Sequence, residues 1–111
     1  MNVLLAVFLA AGTFFHTTLK SSKPARDAVV AAPTEVSLTF TEKVNAALSS
    51  IVILKADSSQ VETLVVQSTS DPERIEGAVT TKLAPARYAI RWKTVSADGH
   101  VVRGVFGFAV K

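Results

Sequence analysis

The sequence predicts an all-β fold, a seven-stranded antiparallel sandwich built from two sheets. Several short segments alternate apolar and polar residues, which is the period-2 pattern of strands with one buried face. Turn-forming residues separate these segments at short intervals, and no amphipathic pattern is long enough to form a helix. With 111 residues, the chain has room for one such domain and not for two.

The first half of the chain contains the simplest strand patterns. Residues 20–24 form a short polar segment that its proline confines to a sheet edge or a strand end, and residues 26–33 are predicted to be a loop. Residues 35–41 (EVSLTFT) alternate cleanly and indicate a strand. Residues 50–56 (SIVILKA) are apolar on both faces, which favours a central strand or one near a sheet corner. Residues 61–66 return as the next strand.

The second half supplies the remaining strands and most of the aromatic residues. Residues 68–73 are polar and contain a proline, which indicates a surface loop, and residues 75–83 predict a weak strand. Residues 101–110 close the chain, and their two glycines, Gly104 and Gly107, indicate a bulge or the close approach of another strand. The predicted core consists of large apolar side chains from four of the predicted strands, at residues 35–41, 50–56 and 101–110 and in the strand that begins at residue 87: Leu38, Phe40, Ile51, Ile53, Tyr88, Ile90, Trp92, Phe106 and Phe108.

The segment at residues 88–100 (YAIRWKTVSADGH) joins a predicted strand to a turn that carries metal-binding residue types. Its aromatic and aliphatic side chains alternate with polar ones until Asp98 and Gly99 break the pattern, because glycine accepts backbone angles that other residues resist. Asp98 and His100 are two residues apart, so in an extended segment both side chains point the same way and could close on one small ion.

Charge and composition exclude several classes of function. Nine acidic and twelve basic residues give a net charge of +3, and the basic residues are scattered rather than clustered into a nucleic-acid-binding track. The aromatic residues fit core positions better than base-stacking platforms. The chain has no cysteine, so neither a disulfide framework nor a thiolate metal site can form.

The first fifteen residues, MNVLLAVFLAAGTFF, are apolar and differ from everything that follows. They are too short to span a bilayer comfortably as a helix, which takes about 20 apolar residues, and they fit the apolar region of a secretory signal peptide. Two features of a signal peptide are missing: no Lys or Arg precedes the apolar run, and no A-x-A cleavage motif lies immediately before His16. A cut after Gly12 would satisfy the requirement for small residues at the cleavage site. We therefore expect an exported domain at residues 16–111, with an uncleaved membrane anchor as the alternative.

A copper site is the metal hypothesis that these residues favour. Neutral imidazole and carboxylate groups suit Cu(II), whereas the soft ligands of Cu(I) are lacking because Met1 is the only methionine. If cleavage made His16 the first residue, its amine and ring nitrogen could join Asp98 and His100 around one ion. From spacing alone two alternatives stay open: that Asp98 only bonds its own backbone in a turn, and that His100 only begins the last strand.

Four sequence blocks, in this order, resemble the CopC family of periplasmic copper-resistance and copper-carrier domains. They are H-x-x-L-x-S-S-x-P-A at 16–25, V-x-L-x-F-x-E at 36–42, Y-x-I-x-W-x-x-V-S-A-D-G-H at 88–100 and G-x-F-x-F-x-V at 104–110. The resemblance covers nearly the whole chain after residue 15. It implies a seven-stranded Greek-key β-sandwich or barrel of the immunoglobulin-like type.

The resemblance also implies a ligand set for one Cu(II) ion. The amine and imidazole of His16, together with Asp98 and His100, match the family's ligand positions. Glu42 matches a family glutamate near the metal and would help to orient the site, with a solvated strand-end carboxylate as the alternative. Many family members have a methionine-rich Cu(I) site, but residues 55–70 here contain neither methionine nor histidine, so no Cu(I) site is expected.

The function expected from this reading is that of an exported, monomeric, non-enzymatic carrier. It would buffer Cu(II) or deliver it to an acceptor, and the resemblance implies a membrane copper importer of the CopD type as that partner. One alternative is a metal-free immunoglobulin-like module that binds proteins through its loops. Another is a copper enzyme that oxidises polysaccharides, which we rank last because a single Trp and a single Tyr do not supply a broad substrate face.

Overall fold

The structure, a computed structural model, describes residues 17–111. The expected signal-like segment at residues 1–15 and the candidate ligand His16 lie outside the described residues, so both stay predictions. Nine strands and one short 3-10 turn follow one another along the described chain: β1 (Leu19–Lys23), β2 (Val29–Val30), β3 (Glu35–Phe40), the 3-10 turn (Ala46–Leu48), β4 (Ser50–Lys55), β5 (Gln60–Thr63), β6 (Val66–Ser68), β7 (Arg74–Ala78), β8 (Ala86–Val95) and β9 (Val101–Val110). No helix in this part of the chain is long and apolar enough to cross a membrane.

Two sheets contain all nine strands, which confirms the all-β, two-sheet prediction. The four-stranded sheet has the order β1-β3-β7-β6, and the five-stranded sheet has the order β2-β9-β8-β4-β5. Neighbours pair antiparallel except β2, which runs parallel to β9. The longest strands, β8 and β9, lie inside their sheet, while every edge strand has five residues or fewer.

The strand count differs from the expected seven at two places. Within the predicted loop at residues 26–33, two residues pair with the end of β9 as the strand β2. The predicted strand at residues 61–66 is divided, because β5 belongs to the five-stranded sheet and β6 to the four-stranded sheet. Leu64 lies at the crossing, where its amide donates to Ile51 O at 2.9 Å. The Greek-key description of the strand connections stays a prediction.

The predicted core side chains are all buried between the two sheets, and Val36, Ile75 and several other aliphatic residues complete the core. Phe40 from β3 packs edge-on against Trp92 from β8, with ring centroids 5.1 Å apart and an interplanar angle of 66°. This pair joins the two sheets, since β3 and β8 belong to different ones. Strand β4 is buried on both faces, as its uninterrupted apolar sequence predicted.

The hairpin of β8 and β9 positions the candidate site. Ten residue pairs join the two strands, from Ala86–Val110 at one end to Val95–Val101 at the other. The alternation predicted for β8 is confirmed, since Tyr88, Ile90 and Trp92 are buried. The turn that carries Asp98 and His100 is therefore held at the tip of a long, well-paired ribbon.

Candidate metal site

The turn at residues 96–100 is closed by backbone hydrogen bonds. Ser96 N donates to His100 O, and Gly99 N donates to Ser96 O, each at 2.9 Å. Gly99 has a φ of 88°, in the left-handed region that glycine occupies at little cost. The glycine predicted to break the strand therefore lets the chain reverse within five residues, and Asp98 and His100 are held on the same short loop.

The structure brings Asp98 and His100 into direct contact. His100 Nδ1 lies 3.1 Å from Asp98 Oδ2, and the two side chains are 70% and 61% exposed. Asp98 therefore does more than form a turn, although it also accepts a hydrogen bond from its own loop, from His100 N at 3.2 Å. The two predicted ligands from the end of β8 form an exposed pair that a dissolved ion can reach.

Ser96 is a partner of this pair that the sequence reasoning did not identify. Its side chain is buried, and its Oγ donates a short hydrogen bond to Asp98 Oδ1, leaving Oδ2 toward the imidazole. The signal available in the sequence was a serine two residues before an aspartate, a spacing at which a side chain can bond its neighbour within a turn. Ser96 thus fixes the orientation of the carboxylate.

The hydrogen bonds within the turn also keep the carboxylate charged. The pKa of Asp98 is lowered from its ordinary value, first by the hydrogen bond from the Ser96 hydroxyl and then by the bond from the backbone N–H of His100, while desolvation opposes the shift. The nearby imidazole lowers the pKa further by its charge. A negatively charged carboxylate beside a ring nitrogen is an arrangement that attracts a small cation.

Glu42 lies on a neighbouring segment and contacts the start of the described chain. Thr17 Oγ1 donates to Glu42 Oε2 at 3.2 Å, and Thr17 is only 4% exposed. The backbones of Thr18 and Thr41 are also joined, because Thr41 N donates to Thr18 O at 2.9 Å. Residues 17 and 18 are therefore fixed beside the end of β3.

The segment that follows Glu42 reaches the turn. Val44 forms an antiparallel bridge with Ser96, and Asn45 N donates to Val95 O at 2.9 Å. The start of β1, the Glu42 segment and the tip of the β8–β9 hairpin are therefore joined at one end of the sandwich. This arrangement places the residue next to the predicted ligand His16 in the same region as the turn.

Asp98 and His100 are two candidate ligands without a third beside them in the described chain. Among residues 17–111, no group of three or more His, Cys, Asp or Glu side chains is arranged to hold a metal ion. Glu42 has its described hydrogen bond to Thr17 and not to the Asp98–His100 pair. Within the described chain this end of the hairpin therefore offers one imidazole and one carboxylate.

The comparisons with known proteins identify relatives of nearly the whole chain. A family model described as the CopC domain matches residues 19–111. Copper resistance protein C of Xanthomonas campestris pv. juglandis is 32% identical over 116 aligned positions, which cover 98% of this chain and 91% of that protein.

Two solved structures share the architecture. The crystal structure of CopC from Methylosinus trichosporium OB3b has a TM-score of 0.79 and 32% identity, with coverage of 86% of this chain and 94% of that one. The structure of PcoC, a methionine-rich copper resistance protein from Escherichia coli, has a TM-score of 0.73 and 28% identity, with coverage of 87% and 100%.

Proposed function

Because this chain belongs to the CopC family, we propose that it is an exported copper carrier that holds one Cu(II) ion at the tip of the β8–β9 hairpin. The observation that carries the proposal is the contact between Asp98 and His100, whose facing atoms are 3.1 Å apart. The names of the relatives, a copper resistance protein in Xanthomonas campestris pv. juglandis among them, supply the identity of the metal.

The geometry of the pair fits neighbouring positions around one Cu(II) ion. Two ligand atoms at about 2.0 Å from a metal and at right angles to each other are about 2.8 Å apart, in the tetragonal arrangement that Cu(II) prefers. The 3.1 Å between Asp98 Oδ2 and His100 Nδ1 is close to that separation. Both side chains would have to exchange their contact with each other for a contact with the ion.

His16 completes the proposed ligand set. A free N-terminal amine and an imidazole on the same residue would supply two nitrogens, so that with Asp98 and His100 the ion would have three nitrogens and one oxygen. The buried Thr17 supports this assignment. It is the residue that follows His16, and its hydrogen bond to Glu42 holds it at the same end of the sandwich. Glu42 would then help to hold the first residue in position rather than bind the metal.

The composition favours Cu(II) over Cu(I). PcoC is described as methionine rich, whereas this chain contains a single methionine, at position 1. Thioether sulfur is a soft ligand that selects Cu(I), and imidazole and carboxylate are not. We therefore expect one Cu(II) site and no separate Cu(I) site.

The exposure of the ligands favours transfer rather than storage or catalysis. Asp98 and His100 are more than half exposed, so an acceptor can approach the metal and replace ligands one at a time without opening of the fold. Delivery to a membrane importer of the CopD type, by a monomer in the periplasm, follows from the family resemblance. No catalytic role is proposed.

Native mass spectrometry of the exported protein, with and without one equivalent of Cu(II), tests the proposal. It measures the position of the mature N-terminus and the number of bound ions together. We expect one copper per chain, His16 as the first residue, and an electron paramagnetic resonance spectrum with nitrogen couplings. His16→Ala, Asp98→Asn and His100→Ala should each weaken binding.

Asp57→Asn is the matched control for Asp98→Asn. Asp57 is also an exposed turn aspartate, and its Oδ1 accepts hydrogen bonds from Ser59 N at 3.0 Å and Ser59 Oγ at 2.6 Å. Replacing it should leave copper affinity unchanged. Equal affinities for the wild type and His100→Ala would exclude His100 from the ligand set, and a wild type that binds no copper would support the metal-free interaction module.

A further inference from the structure

The outer face of the five-stranded sheet carries a concentration of positive charge that copper binding does not use. Side chains alternate between the two faces of β8, and the face opposite the core carries Arg87, Arg91 and Lys93. The same face of β9 carries Arg103. None of the nine acidic residues of the chain lies on β4, β8 or β9. This face is therefore positively charged and contains no carboxylate from its three central strands.

The four-stranded sheet provides a contrast within the same molecule. A shallow groove on its outer face is lined by Lys23 and Arg74 but also by Glu35 and Glu76, together with several serine and threonine residues. Positive and negative groups are mixed there, as on an ordinary solvated surface. The charge on the five-stranded sheet is therefore not a general property of this basic protein.

Lys93 and Arg103 are placed unfavourably for stability. They are directly opposite each other in the register of β8 and β9, and like charges in that position repel. Within residues 17–111, the ion pairs join Lys20 to Glu73 and His100 to Asp98, so no described carboxylate forms an ion pair with Lys93 or Arg103. An anion brought by another molecule would relieve it.

A groove gives these cations a shape that an anionic group could enter. Its volume is about 410 Å³, and its lining includes Ser50 together with Arg91, Lys93 and Arg103. Val105 also lines it and is 56% exposed, so the groove combines apolar surface with positive charge. That combination is typical of protein interfaces, in which charge steers the encounter and apolar contact holds the complex.

We propose that this groove, which we call the basic groove, docks an acidic segment of a partner protein. A strand or loop that carries both carboxylate and apolar side chains complements the three cations and the exposed Val105 together. The basic groove lies on the same hairpin as the copper-binding turn, two register steps from the last pair of β8 and β9. Docking itself needs no copper, and only its use in copper transfer rests on the proposed function.

Fluorescence anisotropy with a labelled peptide of alternating Glu and Val residues tests the docking. The triple variant Arg91→Glu, Lys93→Glu, Arg103→Glu should bind the peptide at least about tenfold more weakly than wild type at low ionic strength. The control variant Lys23→Glu, Lys55→Glu, Lys82→Glu replaces three exposed lysines and changes net charge by the same amount. It should stay within about threefold of wild type. Equal weakening in both variants would overturn the proposal.

A single substitution tests the same docking surface in case the triple variant does not fold. Arg103→Gln removes the repulsion with Lys93, so its unfolding midpoint should be no lower than that of wild type, while its affinity for the peptide should fall. Unchanged affinity would refute a role for the groove.

Vesicles of phosphatidylcholine and phosphatidylglycerol, at roughly 3:1, serve as the lipid probe. Binding to these vesicles that depends on Arg91, Lys93 and Arg103, without binding of the peptide, would identify a membrane surface as the occupant instead and overturn the proposal. Asp98→Asn should lose copper affinity and keep peptide binding, so failure of the copper assignment and failure of the docking surface give different results.

Discussion

Replacement of Gly104 by alanine tests whether the close approach between β9 and the tryptophan ring is required for stability. A Cβ at this position would lie 2.6 Å from Cε2 and 2.8 Å from Nε1 of Trp92, and still closer to Cζ2. Carbon atoms normally approach to about 3.5–4.0 Å, so the ring would have to retreat by about 1 Å. The ring has little room, because Trp92 is 6% exposed and packs against Phe40.

Overpacking of this kind costs about 1–3 kcal/mol, and each kcal/mol lowers the melting temperature of a domain of this size by about 4–8 °C. Denaturant unfolding followed by the fluorescence of Trp92, the only tryptophan, measures the loss directly. Gly107→Ala is the matched control on the same strand, since its Cβ would meet Tyr88 O at an ordinary 3.6 Å. If both alanine variants were equally stable, the steric reasoning would be wrong.

Three further predictions concern individual hydrogen bonds. Desolvation raises the pKa of Glu62, but hydrogen bonds from Thr80 and Thr81 outweigh it and lower the pKa from 4.5 to about 2. The stabilisation from this carboxylate is therefore complete above pH 4.5 and lost as the pH falls through about 2. Glu62→Gln should be less stable than wild type at pH 7. Urea titrations at several pH values should show that this difference in stability disappears in acid. Ser96→Ala should weaken Cu(II) binding by about 10–100-fold in a chelator competition, because Ser96 orients the Asp98 carboxylate. The circular dichroism spectrum should stay unchanged. An unaltered affinity would contradict the orienting role of Ser96. Tyr88→Phe should lose about 1 kcal/mol of unfolding free energy, because its hydroxyl donates to a backbone carbonyl at 2.7 Å, and equal denaturation midpoints would refute this.

The period-2 patterns were sufficient to predict the core and the long hairpin. In β8 the side chains of one face are buried and those of the other are not, as the alternation predicts. In β3 the apolar side chains are buried as predicted, but the polar Thr39 on the opposite face is buried as well, at 7% exposed. The crossing at Leu64 could not be predicted in the same way. Its apolar side chain fits either sheet, and the change of partner depends on pairing with Ile51, which is distant in sequence.

The contacts of the candidate site that join residues close in sequence could be predicted, and those that join residues distant in sequence could not. Spacing alone suggested that Asp98 and His100 share one direction, on the assumption of an extended backbone. The two side chains do meet, but a closed turn with Gly99 in the left-handed region brings them together instead. The burial of Thr17 and its hydrogen bond to Glu42 join residues 25 positions apart, and no local pattern in the sequence encodes such a contact.

The order of strands has a consequence for behaviour at high concentration. Each sheet ends in strands of five residues or fewer, and the ten-residue strands are shielded between neighbours. A short edge strand exposes few unpaired backbone N–H and C=O groups, so a strand of another molecule can form few hydrogen bonds with it. Within residues 17–111 the order of the strands thus discourages fibril-like growth, and neither an α-helix nor a disulfide covers the sheet edges there.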